Sequence, residues 1–232
     1  MTQYQDQTHL LVAVDCIIFG FDNEELKLLL IKRDFEPERD KWSLMGGFLR
    51  PQETADEAAK RVLHRLTGLQ DVYLDQVHTF SAPGRDPVER TVSIAYYALI
   101  NIEDHNEELS EQHGAKWFSL KEAPKLIFDH EQMVTAAIQK LRYKTSVQPI
   151  GFELLPEKFT MRQLQKLYEA ILDEELDKRN FVKKINQLDI LTKLDEKDMT
   201  SSKKGSYLFQ FDQSKYEKQA SKGFSLKLAN QL

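Results

Sequence analysis

One cysteine, two tryptophans and seven prolines are all that 232 residues hold of these types, and no stretch approaches the roughly 20 consecutive apolar residues of a membrane span. The lone Cys16 lies in the apolar run VAVDCIIFG without an intrachain partner, which excludes a disulfide framework and fits a reducing compartment. Its expected role is that of a buried strand residue. The amino-terminal MTQYQDQTHL lacks the basic and apolar blocks of a secretory signal, so the expected location is the cytoplasm, with no membrane partner. No internal repeat or low-complexity tract is present. A hydrophobic content of 41% over this length supports a medium domain with a smaller companion.

Charge is unevenly spread. Residues 1–150 carry 17 Lys+Arg against 24 Asp+Glu, a net −7, whereas residues 151–232 carry 15 against 13, a net +2. The segment VQPIGFELLPEKF marks the expected junction, giving domains 1–150 and 151–232. An excess of +2 fits a solvated surface as well as a nucleic-acid surface, so the placement of the charges has to decide.

From Leu10, the runs LLVAVDCIIFGF and LKLLLIKR flank the polar DNEE and predict a hairpin. Further strands are expected at VYLDQVHTF, RTVSIAYYALI and AKWFSL, each β-branched or aromatic and bounded by turn residues, giving a mixed or antiparallel sheet. Between them Thr54 can cap a helix, with Glu57 completing a capping box and Gly68 ending it. Ala55, Ala58, Ala59, Val62, Leu63 and Leu66 recur at helical spacing, and Glu57 is placed to pair with Arg61 at i, i+4. A second helix is expected over about His130 to Tyr143, capped by Asp129, with Met133, Ala137 and Leu141 inward. The fold class is α+β.

The stretch GGFLRPQETADEAAKRVLHRLTGL resembles the signature of the Nudix family of pyrophosphohydrolases: Gly, five residues, Glu, seven residues, then Arg-Glu-apolar-any-Glu-Glu-any-Gly-apolar. Gly47, Glu53, Arg61, Leu63, Gly68 and Leu69 fall at the family's positions, while Val62, Arg65 and Leu66 stand where it has catalytic glutamates. The resemblance implies an α/β/α sandwich around a mixed sheet. Cleaving a pyrophosphate needs divalent cations held by oxygen ligands, and Val and Leu offer none. Exchanging three carboxylates for two apolar groups and an arginine moves the local charge from about −3 to +1. Glu57 lies about 140° around the helix from Val62 and is a poor substitute. A non-catalytic domain with no metal and no cofactor is therefore expected. The rival reading is a relaxed hydrolase acting on ADP-ribose or a related nucleoside diphosphate derivative.

In the tail, Thr160 is a good N-cap for a helix to about Leu172 with Leu164, Leu167, Tyr168 and Ile171 on one face. Asp177 caps a second, whose buried stripe is Phe181, Ile185 and Leu188, while Lys178, Arg179, Asn180, Lys183 and Lys184 crowd the rest of its first two turns. DILTKL, the basic SSKKG with Lys203 and Lys204, and SYLFQF then form a hairpin. Two helices followed by a lysine-tipped hairpin make a winged helix-turn-helix, whose second helix enters the major groove of double-stranded DNA. Arg179 and Asn180 suit guanine and adenine edges; Lys183, Lys184, Lys203 and Lys204 suit phosphates.

A depleted Nudix box joined to a tail with LQKLYEAIL and DKRNFVKKI resembles the Nudix-related transcriptional regulators over nearly the whole chain, RDPVERTVSIAYYALI and LIFDH included. The resemblance implies a Nudix-like sensor of a small molecule, a homodimer on a palindromic operator, and release by the effector. Members controlling NAD metabolism respond to ADP-ribose, and relatives in Bacteroidetes control sugar utilisation. This sequence is most similar to the sugar-responsive branch, which implies L-arabinose as effector. In SAPGRDPVER, Arg85, Asp86 and Arg90 are the candidate effector contacts, arginine for phosphate or carboxylate and aspartate for sugar hydroxyls. A salt-bridged surface hairpin accounts for them equally well. A third reading is an RNA-associated adaptor without ligand control.

Overall fold

A computed structural model of the chain describes residues 7–22, 24–70, 72–104, 114–200, 204–221 and 223–224. The predicted amino-terminal hairpin is present as β1 (Leu11–Asp22) and β2 (Glu25–Lys32), followed by β3 (Trp42–Ser43), β4 (Met45–Phe48), helix α1 (Ala55–Thr67), β5 (Tyr73–Phe80), β6 (Thr91–Leu99), β7 (Ala115–Ser119) and helix α2 (His130–Val147). The strands form one seven-stranded mixed sheet in the order β3-β2-β1-β6-β5, with β4 added on β1 and β7 on β2. β1 is central and covered on both faces. Val14, Cys16, Ile17, Ile18 and Phe19 are at most 1% exposed, and burial pushes the Cys16 thiol pKa far up, so this cysteine is a core residue.

Helix α1 follows the local signals closely. Thr54 accepts from the Glu57 amide at 3.2 Å, and the Glu57 carboxylate accepts from the Thr54 amide at 2.7 Å, completing the capping box. Gly68 adopts φ 72° and closes the helix through its amide to the His64 carbonyl. Ala58, Ala59, Val62 and Leu63 are buried, and α1 packs on β4. The side chain of Leu66 lies outside the described residues. In α2, Met133, Ala137 and Leu141 face inward as expected, but the helix runs beyond Tyr143 to Val147. Asp129 does not spend its carboxylate as the expected cap. Its carbonyl accepts from Gln132 and Met133, while its carboxylate is taken by Arg85.

The winged helix is built from β8 (Lys158–Thr160), α3 (Met161–Leu172), α4 (Lys178–Leu188), β9 (Leu191–Asp198), β10 (Ser206–Phe211) and α5 (Gln213–Ala220). Thr160 caps α3 through a second capping box with Gln163, and Asp177 caps α4 by accepting from the Asn180 amide at 2.8 Å. Leu164, Leu167, Tyr168 and Ile171 are buried, and Tyr168 meets Phe181 edge-on at 5.5 Å. Phe181 and Ile185 are buried as expected; Leu188 is only half-buried because Ile190, fully buried, takes the next core position. β8 and α5 complete a three-stranded sheet and its flank, where Phe152 stacks on Phe211 at 4.3 Å.

Two compact units divide the chain: the described parts of Met1–Ile18, Leu28–Ala98 and His105–Ala137, and those of Phe19–Lys27, Leu99–Asp104 and Ile138–Leu232. The expected cut at residue 150 does not coincide with this division. Arg142, in the later half of α2, donates to the Ile171 carbonyl at 2.9 Å and pairs with Asp173 at 3.2 Å, so that half packs with the winged helix. Among the described residues no helix is long and apolar enough to cross a membrane.

Phe181 is 2% exposed and anchors α4 on Tyr168. Phe181→Ala is expected to destabilise the winged helix by about 3–5 kcal/mol, read from urea unfolding. A loss below about 1 kcal/mol would mean that α4 is not held by this contact.

Candidate functional site

The loop before α1 and the helix itself are tied together by side chains. Glu53 receives both prongs of the Arg61 guanidinium, Nε at 2.9 Å and Nη2 at 2.5 Å, and also accepts from the Arg50 amide at 2.9 Å. Arg61 donates further to the Phe48 carbonyl at 3.1 Å, so the pair ties the loop before α1 to the helix itself. The expected Glu57–Arg61 pair does not form, because Glu57 is committed to the cap. The bidentate arginine holds the Glu53 pKa at about 2. Gly47 packs closely against the helix: a Cβ there would come within 3.1 Å of Val62 Cγ2, so the valine would have to give by a few tenths of an ångström. Val62 is fully buried and Arg65 is exposed.

Beside Gly46 the central strand carries a charge. Asp15 pairs in register with Gly46, and a Cβ on that glycine would lie 2.5 Å from Asp15 Oδ1. The other oxygen, Oδ2, accepts from Ser93 and lies 3.9 Å from Arg85 Nη2. Arg85 turns inward, its side chain 5% exposed, and binds Asp129 through Nε at 2.9 Å and Nη2 at 2.8 Å. His130 Nδ1 accepts from the Leu44 amide at 3.1 Å, which puts the proton of the neutral ring on Nε2, 3.9 Å from Asp15 Oδ1. Burial lowers the His130 pKa despite Asp15 and Asp129, so the ring is neutral at pH 7.

Arg33 completes this cluster. Its guanidinium stacks on Phe35 at 3.8 Å and reaches Phe128 at 5.6 Å, while Asp86 and Asp15 act on it electrostatically. Phe128 holds a left-handed φ of 49°, uncommon for an aromatic residue. Of the three residues expected to contact an effector, Arg85 and Asp86 therefore join the cluster. Asp86 also accepts from the Val88 amide at 2.9 Å. Arg90 instead braces its own loop, donating to the carbonyls of Ser81 at 2.9 Å and Ala82 at 3.4 Å. Asp15, Arg33 and His130 are not expected from the sequence; the available signal is a carboxylate inside a run otherwise wholly apolar.

On the winged helix, Lys178, Arg179, Asn180, Lys183 and Lys204 are exposed and Lys184 is half-buried. Lys203 lies outside the described residues. Two further lysines gather on the hairpin: Lys193 Nζ stands 3.5 Å and Lys197 Nζ 4.7 Å from the ring centre of Tyr207, which is 44% exposed. Between this sheet face and α4 runs a groove of about 650 Å³ whose lining includes Arg162, Lys178, Asn186, Lys193 and Tyr207. Alternation along LTKLDEKD places Lys193 and Lys197 on one face, but pairing them with Tyr207 needs the register.

Residues 9–137 match the model of the NUDIX domain, and residues 151–211 match that of the NrtR DNA-binding winged helix domain. The chain is 31% identical to the ADPR responsive transcriptional repressor NtrR of Acinetobacter baylyi, over 94% of this chain and 89% of that protein. It is 34% identical to the ADP-ribose pyrophosphatase of Methanocaldococcus jannaschii over 58% of this chain and 76% of that one. Among solved structures, Shewanella oneidensis NrtR complexed with a 27mer DNA shares the fold with a TM-score of 0.84 at 24% identity, over 94% of this chain and 99% of that chain.

The depressed Glu53 pKa sets a sign. A carboxylate ionised more readily folded than unfolded contributes stability that is present above its ordinary value of 4.5 and lost as pH falls toward about 2. Glu53→Gln should therefore flatten the fall in urea midpoint across that window. An unchanged acid limb in the variant would show that the Glu53–Arg61 clamp does not contribute to folding.

Proposed function

Because the chain belongs to the NrtR-type family, in which a Nudix domain is followed by a DNA-binding winged helix, we propose that it is a transcriptional regulator whose Nudix domain senses a small molecule and does not hydrolyse it. The observation that carries the reading is the exposed basic start of α4, with Lys178, Arg179, Asn180 and Lys183 beside a lysine-bearing wing. A recognition helix entering the major groove amino end first presents those side chains to base edges and phosphates. The regulator acts as a homodimer in the cytoplasm, since a two-fold protein matches a palindromic operator. It controls carbohydrate utilisation. The effector is L-arabinose, as the sequence resemblance implies, or ADP-ribose, as the Acinetobacter relative's name has it for that protein.

Donor chemistry supports a box that has lost catalysis. A Nudix hydrolase holds Mg²⁺ in oxygen ligands, and Val62 and Leu66 supply none while Arg65 repels a cation. The residues at these positions do not fit the metal, and no hydrolytic step is assigned to them. Among the described residues no three His, Cys, Asp or Glu side chains gather as metal ligands. Kinship with an ADP-ribose pyrophosphatase keeps hydrolysis of a nucleoside diphosphate derivative as the second reading.

In a gel shift at low salt the protein is expected to retard its own promoter fragment in preference to unrelated duplex; absence of any shift overturns the DNA reading. Arg179→Ala should cost about 1–3 kcal/mol and relax preference at one base position, whereas Lys183→Ala should weaken all sequences alike and lower the salt slope by about 1. With ADP-ribose and Mg²⁺ no turnover is expected. Cleavage of the pyrophosphate bond at ordinary enzyme rates, of order 1 per second or faster and abolished by a chelator, would establish the hydrolase instead.

A further inference from the structure

We infer that Tyr207 is the positioning residue of a phosphate contact: its exposed ring holds Lys193 and Lys197 together on one face of the wing, where both meet the sugar-phosphate strand of a DNA duplex beside α4. The inference rests on the DNA-binding reading above and adds to it a contact outside the recognition helix and outside the SSKKG tip.

Strand register builds the arrangement. β9 and β10 pair with Lys197 opposite Tyr207 and Lys193 opposite Phe209, so four steps along β9 are matched by two along β10. In an unbroken ladder Lys193 would face Phe211, about 14 Å along the strand from Tyr207. The bulge brings it instead to the diagonal position beside Tyr207, where cross-strand neighbours stand about 7–8 Å apart and a long side chain can reach. Both ammonium groups then lie over one ring, at 3.5 Å and 4.7 Å from its centre. Gly205, with a left-handed φ of 69°, leaves room for the Lys197 stem: a Cβ there would come within 3.2 Å of Lys197 Cβ and 2.6 Å of Met199 Sδ.

Charge gives the arrangement a purpose. Two like charges on one ring repel each other, and the ring offsets only part of that cost. Lys193, Lys197 and Tyr207 are all exposed. Among the described residues neither lysine pairs with a carboxylate; Glu196 is taken by Lys158, and Asp195, between the two lysines, makes no ion pair. The missing component is an anion met from solvent, and an ammonium group above a ring still directs N–H donors away from it.

Place selects the anion. The groove of about 650 Å³ between this sheet face and α4 is lined by Lys193 and Tyr207 from the wing and by Lys178 from α4, with Arg162 also in its lining. Lys178 stands at the amino end of α4, the end that enters a major groove. A backbone strand leaving that groove runs on from the basic start of α4 to the wing lysines. Cations spread along an open groove match a chain of phosphates and not a single small anion.

The test uses the full chain and two duplexes, its own promoter fragment and an unrelated sequence, with affinity measured from low to high salt. The melting temperature of each variant separates loss of fold from loss of contact, and the lysine variants, at exposed side chains, test the contact without the ring. Lys193→Ala and Lys197→Ala should each weaken both duplexes alike and lower the salt slope by about 1. Tyr207→Leu removes no charge, so it should weaken both duplexes by about threefold to tenfold while the slope stays near that of the parent. Tyr207→Phe keeps the ring and should bind within about twofold of the parent. In the Tyr207→Leu background, Lys193→Ala should cost less than it does in the parent, because ring and lysine act as one unit. Equal losses in Tyr207→Phe and Tyr207→Leu, losses confined to the promoter sequence, or additive effects of Tyr207→Leu and Lys193→Ala overturn the positioning role. Unchanged binding in all these single variants overturns the contact and leaves the DNA reading standing; no binding of either duplex by the unaltered protein overturns both.

Discussion

The carboxylate of Asp15 stands where a side chain on Gly46 would begin. This steric exclusion, 2.5 Å from Oδ1 to the absent Cβ, lets β4 lie against β1 with a charge between them. The same approach brings the next residue, Gly47, against Val62, where a Cβ would again crowd a neighbour at 3.1 Å. Both glycines at the head of the box therefore sit against close neighbours, Asp15 for Gly46 and Val62 for Gly47. A charge in the middle of a doubly covered strand must also be compensated. Ser93, Arg85 and His130 surround it; Arg85 is placed by Asp129, and His130 by Leu44 and Ser43.

The frame around α1 is thus mechanical, and each of its parts has a separate job. Glu53 and Arg61 fasten the loop from Phe48 to Arg50 onto α1; Thr54 and Gly68 fix the two ends of the helix; Val62 and Leu63 seat it on the sheet. All of these act on geometry. Val62 is fully buried, so a carboxylate at that position would carry an ionisation cost unless a cation or hydrogen-bond donors offset it.

Elements set by neighbours in sequence are legible from the residues alone. Thr54 with Glu57, Thr160 with Gln163, Asp177 with Asn180 and the left-handed Gly68 are contacts within four residues, and the apolar faces of α1 and α3 follow from the helical period. Expectation and structure part where two partners compete. Glu57 is equally close to its cap and to Arg61, and the cap takes it, leaving Arg61 for Glu53, eight residues away. Asp129 presents a similar choice, and Arg85, distant in sequence, decides it. The winged helix has no local sign of β8, which needs β10 to exist, or of α5, whose residues Gln213–Ala220 are all polar but for Tyr216 and Ala220. Asp15 is visible as an acid in an apolar run, but only the sheet order brings Ser93 and Gly46 to it.

The winged helix carries a small positive excess, and its count understates the field it presents. Several of its acids are committed locally: Asp177 caps α4 through the Asn180 amide, Glu196 accepts from Lys158 at 2.8 Å, and Asp189 pairs with Lys215 at 3.0 Å. The cations at the start of α4 are exposed, and Tyr207 holds two wing lysines side by side across its ring. Screening over about 8–10 Å makes the nearest charges decide the potential at a phosphate, so a domain near neutrality can still offer a strongly positive edge. Holding Lys193 and Lys197 on an aromatic face also removes part of the side-chain freedom they would otherwise lose on binding, which leaves more of each phosphate contact as affinity.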